Sequence, residues 1–161
     1  MSERIKKMED MAALEEGYAL KYDESVMGLE NVALRGLVMG VGYDSQKHAA
    51  LYRAIATMLK GPLGVSDQEY DALEKRLKEH IEVEKKMLKL SKELLDDEED
   101  TRVKFLLEEI YADEIRHHKF YENLLEAVVS KDMIFQEDIF AQLWKDVPTH
   151  GAPRDPHAPG Q

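Results

Sequence analysis

Residues 101–129 read TRVKFLLEEIYADEIRHHKFYENLLEAVV. Val103, Leu106, Ile110, Phe120 and Leu124 recur at spacings of three and four or their sums, which places them on one face of an α-helix. Asp113 and His117 fall on that same apolar stripe, with Glu114 beside them. The stretch is therefore a helix that carries an acid and a histidine where core side chains belong.

The same period extends outward over Ser2 to Val129, and it is interrupted at Gly28, at Gly61-Pro62-Leu63-Gly64 and at Asp96-Asp97-Glu98-Glu99-Asp100. The breaks predict four helices, over about Ser2–Tyr22, Asn31–Lys60, Asp67–Leu95 and Thr101–Val129. The fold class is all-α, a four-helix bundle over residues 1–130. Ser66-Asp67-Gln68-Glu69 has the form of a capping box, and Asn31 and Thr101 are further candidate caps. In the second helix Gly36, Gly40 and Gly42 each cost about 1 kcal/mol relative to Ala, a cost that a close helix approach would offset. Ile134, Phe135, Ile139, Phe140, Leu143 and Trp144 predict a short amphipathic fifth helix over 131–147, followed by a disordered tail over 148–161 that holds four of the five prolines.

At 161 residues one domain is the default, and it needs no disulfide to bury a core. The chain has no cysteine, which excludes thiolate zinc sites, thiolate-held iron–sulfur clusters and cysteine nucleophiles; a metal must be held by His, Asp and Glu. A formal net charge of −11, spread along the chain, argues against a nucleic-acid partner and favours cations. The charged N-terminus lacks an apolar signal region, and no window reaches the ~18 apolar residues of a membrane span. A soluble cytoplasmic protein without a membrane partner is the expectation.

The second helix repeats the pattern of the fourth. Its stripe, Leu34, Leu37, Val41, Asp44, His48, Leu51, Ile55, contains the same acid and histidine four apart, and an ungapped offset of 69 residues aligns Asp44-Ser45-Gln46-Lys47-His48 with Asp113-Glu114-Ile115-Arg116-His117. Tyr52 and Tyr121 follow one turn later and read as core filler. The offset also pairs Glu15 with Glu84 and Met11 with His80 on the apolar stripes of the first helix (Met8, Met11/Ala12, Glu15, Ala19) and the third (Leu73, Leu77, His80, Glu84, Met87). The chain reads as two related helical hairpins. Counting residues from the turns puts Glu15, Asp44, His48, His80, Glu84, Asp113 and His117 within one or two turns of a common layer. Carboxylates in one dry layer repel one another and lose hydration, and a bound cation offsets both penalties. Oxygen and imidazole donors suit iron, manganese or zinc, with two ions accommodated by bridging carboxylates.

Over about residues 2–130 the pattern resembles the ferritin-like di-iron carboxylate superfamily, in which a Glu from each of two helices joins a Glu-x-x-His from each of the other two. Glu114-Ile115-Arg116-His117 matches that motif. The resemblance implies Glu15 and Glu84 as the single carboxylates, His48 and His117 as nitrogen ligands, and oxidation of Fe(II) by dioxygen or peroxide at two iron ions. Position 45 departs from the motif, being Ser, so Asp44 would have to substitute, or His80 compensate. Asp113 is either a ligand or a carboxylate that orients its histidine. The short Gly61–Ser66 connection spans only about 20 Å against a helix of about 40 Å. Neighbouring helices therefore alternate up and down, or hairpins are exchanged between subunits of a homo-oligomer.

His118 points to another face and reads as exposed, and His150 and His157 lie in the tail; none is a candidate ligand. Without cysteine there is no rubredoxin-like module, so a peroxidase activity would require an external electron donor. Two other readings stand beside the di-metal one. Ser45 in place of Glu suits a metal-free helical scaffold that dimerises, and the ligands of the third and fourth helices alone suit a mononuclear site.

Overall fold

In the computed structural model, residues 2–61, 64–130 and 141–148 are described. They are helical throughout their regular elements: α1 (Glu3–Val26), α2 (Val32–Met58), α3 (Asp67–Asp97) and α4 (Thr101–Val129). The chain divides into two compact units, Met1–Leu63 with the α1–α2 hairpin and Gly64–Gln161 with the α3–α4 hairpin. Among the described residues no helix is long and apolar enough to cross a membrane.

The helix starts follow from local chemistry. Ser2 accepts a hydrogen bond from the Ile5 N–H, and Asn31 accepts one from the Leu34 N–H at 3.0 Å. The capping box at α3 is complete: the Glu69 N–H donates to Ser66 Oγ, and the Ser66 N–H donates to Glu69 Oε2 at 2.8 Å. At α4 the cap is Asp100 rather than Thr101, whose place is the first helical residue. The Asp100 carboxylate accepts from the Arg102 N–H at 2.9 Å and also binds the Arg102 guanidinium, a charge-assisted arrangement that a threonine hydroxyl cannot match. The acidic run is thus shared between the end of α3 and the cap of α4. Gly28, at φ 82°, makes the left-handed turn that lets α2 fold back along α1.

The α1–α2 hairpin closes on small side chains. Ala12 and Ala19 of α1 and Gly42, Ser45, Ala49 and Ala56 of α2 are buried, with Ile5 and Val26 near the ends of α1. A Cβ on Gly42 would lie 3.0 Å from Cβ of Tyr22, so this glycine allows the close approach; a Cβ on Gly36 or Gly40 would meet nothing within 4 Å. Within this hairpin the apolar stripe of α2 is not the face that meets α1, since Leu34, Leu37, Val41, Leu51 and Ile55 are all exposed. Two faces of α2 are apolar, and the one lined by small residues seats closer against α1. Cross-helix ion pairs, Glu9 with Lys60 and Glu16 with Arg53, accompany this packing at the surface.

The α3–α4 hairpin closes on larger residues, with Tyr70, Leu77 and Val128 as a buried cluster flanked by Val65, Leu73, Tyr121, Leu124 and Leu125. Here too part of the expected stripe is exposed, at Met87, Val103 and Ile110. A short segment near the C-terminus lies on α4. Leu143 packs with Ala127, Phe120 and Leu124, and the Trp144 ring sits 5.1 Å from that of Phe120. The buried Asn123 side chain donates to the carbonyls of Leu143 and Lys145, at 3.1 and 2.8 Å. Of the fifth helix expected over 131–147, residues 141–143 are helical and a turn follows, while 131–140 lie outside the described residues, as does the tail from 149.

Candidate metal centre

Glu84 reaches from α3, and Glu114 and His117 from α4, three residues apart on one face. One donor atom from each can be chosen so that all three lie within 4.8 Å of one another. A single cation can touch all three from such a spacing. Glu114 is buried, at 7% exposure, Glu84 is half-buried and His117 is exposed. The site is closed on the hairpin side and open on the other.

Two carboxylate oxygens here are unsatisfied. Oε2 of Glu84 and Oε2 of Glu114 are both buried without a hydrogen-bond partner, a state that costs a carboxylate more than a neutral group. Burial raises the pKa of the Glu114 carboxyl; the hydrogen bond and the negative charge of Glu84 raise it further, His117 opposes the shift and the Asp113 charge adds to it. Two acids pressed together, one of them inclined to keep its proton, form a site that a cation would relieve. The donor set, two carboxylates and an imidazole, fits iron, manganese or zinc.

The other sequence-derived candidates are placed differently. Asp113 binds Arg116 at 2.7 Å, and Asp44 binds Lys47, in both cases a basic residue three positions on. His80 stacks on Tyr121, with ring centroids 5.6 Å apart and planes 11° from parallel. Glu15 and His48 meet across the α1–α2 hairpin, with Nδ1 of His48 3.5 Å from Oε1 of Glu15. Among the described residues no third acid or histidine joins them in a comparable group. His118 departs from its expected exposure: its side chain is 16% exposed, Nε2 faces Glu122 and Nδ1 is buried without a partner. Its ring turns toward the hairpin interior, the face where Ala49 is buried at the equivalent position of α2. Asn123, which anchors the C-terminal segment, had no distinguishing signal in the sequence, because a single Asn on an amphipathic helix is most often solvated.

Compared with known protein families, with curated proteins and with solved structures, the chain has no match in any of the three.

Proposed function

We propose that the protein binds a divalent transition metal through Glu84, Glu114 and His117, in the manner of a ferritin-like carboxylate centre. The observation that carries the reading is the pair of buried carboxylate oxygens without partners, Oε2 of Glu84 and of Glu114, beside an imidazole within ligand distance. Three protein donors leave coordination positions open, as a centre that reacts with a small molecule requires. With Fe(II) as the ion, the chemistry supplied would be its own oxidation to Fe(III), with dioxygen or peroxide as the electron acceptor. The chain's own residues would hold the ion, and Glu114 would exchange a proton for it on binding.

Exposed apolar side chains on each hairpin support assembly into a four-helix bundle. Ile110 on α4 and Leu34, Leu37, Val41, Leu51 and Ile55 on α2 are each about half exposed, and burying the remainder of such side chains contributes about 1 kcal/mol each. We propose that the hairpins are the halves of such a bundle, built within one chain or between copies.

The experiment is metal analysis of protein purified without chelator and then loaded with Fe(II) under nitrogen or with Mn(II), for wild type and His117→Ala. Bound metal in wild type that is lost in the variant supports the reading. Background levels in both would sink it and leave a metal-free scaffold.

A further inference from the structure

The two hairpins carry one pattern with one break. Glu15 and His48 occupy the positions of Glu84 and His117, and Ser45 occupies that of Glu114. The burial matches as well, since Ser45 is 8% exposed and Glu114 is 7% exposed. Glu15 and His48 still face each other at 3.5 Å.

We infer that Ser45 is the residue that keeps the α1–α2 hairpin from binding a metal ion, so that Glu15 and His48 are two donors of a site that lacks a buried third ligand. The inference rests on the metal-binding reading of Glu84, Glu114 and His117. Two donors do not hold a hard divalent cation that takes four or more, and a serine hydroxyl adds no charge. The neighbouring Asp44 does not substitute. Adjacent residues on a helix point about 100° apart, and the Asp44 carboxylate is engaged by Lys47, as that of Asp113 is by Arg116. The repeated Asp therefore has the same ion-pairing role in both hairpins, and the difference in ligation lies at the residue after it. A Glu at 45 would restore the spacing of the second hairpin, with the first acid 30 residues before the buried acid and the histidine three after it.

The test is equilibrium dialysis of the full chain against Mn(II), a redox-stable stand-in for Fe(II). Wild type, Glu114→Ser, Ser45→Glu/Glu114→Ser and the shorter Ser45→Asp/Glu114→Ser are compared, each checked for helical content by circular dichroism. Glu114→Ser should fall to background, and at least one of the double variants should regain the wild-type stoichiometry. Double variants that keep native helicity and bind no more than Glu114→Ser overturn the inference. Should position 45 reject both acids and unfold, His48→Ala decides, because that side chain is about half exposed. Mn(II) affinity within about two-fold of wild type supports the inference, and a loss of about tenfold or more shows that the first hairpin supplies ligands and overturns it. Wild type that binds no Mn(II) overturns the underlying reading instead.

Discussion

The α1–α2 and α3–α4 hairpins are alike in register and unlike in what they bury. The first closes on alanines, a glycine and a serine, the second on Tyr70, Leu77, Val128 and a carboxylate. At the level of the repeated histidine, the first hairpin holds a paired Glu15 and His48, and the second holds Glu84 and Glu114 with unsatisfied oxygens beside His117. Glu84 and Glu114 press two carboxyl groups together, and burial and the Glu84 charge raise the pKa of Glu114, a penalty that the single acid of the first hairpin does not meet. The contrast comes down to one buried position of a shared helical frame, Glu114 in one hairpin and Ser45 in the other.

The largest effect expected from breaking this contrast is in binding. Glu84→Gln should weaken Mn(II) binding by more than about 100-fold, because partners outside the ligand shell alone are worth about 10–100-fold. Glu15→Gln, its counterpart, should leave the affinity within about two-fold, measured by the same dialysis. Next in size is the clasp on α4, which the first hairpin lacks. Asn123→Ala removes two hydrogen bonds and leaves the buried Leu143 carbonyl without its partner, at a cost of about 1–3 kcal/mol in urea unfolding. It should also release Trp144, the only tryptophan, with a red shift of its fluorescence. The small-residue seam is tested at Gly42. Gly42→Leu should destabilise by about 1–3 kcal/mol through its clash with Tyr22, whereas Gly40→Ala, with open space around it, should stabilise by up to about 1 kcal/mol.

The smallest effect is in pH dependence. Glu114 has a raised pKa in the fold, so its protonated form is the one the metal-free structure favours. That contribution is fully present below the ordinary carboxylate pKa and is lost as pH rises through the raised value. In the presence of chelator, Glu114→Gln should therefore become more stable relative to wild type as pH rises from about 4 to 7. Urea midpoints across that range check the sign; a variant-minus-wild-type difference that falls as pH rises would contradict it.

Much of this was legible in the sequence because it is local. Helical period, capping residues and the glycine and acidic breaks depend on near neighbours, and they locate all four helices to within a few residues. The Asp100 cap escaped because Thr101 offers the same kind of acceptor one position later. The packing faces of α2 were harder for a physical reason: periodicity reveals that a face is apolar, not what covers it. Small residues at 42, 45, 49 and 56 score weakly on any hydrophobic scale, yet they take the closest contact. At the site, Glu84 and His117 could be named from spacing, and Glu114 from its match to the Glu-x-x-His motif. Asp44 and Asp113 were ambiguous until their carboxylates were seen on Lys47 and Arg116, a competition that the three-residue spacing to those bases already hinted at.

The central claim is that a metal ion sits on the second hairpin and not on the first, and anomalous scattering from a crystal grown with Mn(II) tests it most directly. The account predicts a peak within bonding distance of Glu84, Glu114 and His117 and none bound by Glu15 and His48. A peak bound by Glu15 and His48, or well-ordered side chains of Glu84, Glu114 and His117 with no peak between them, would contradict it.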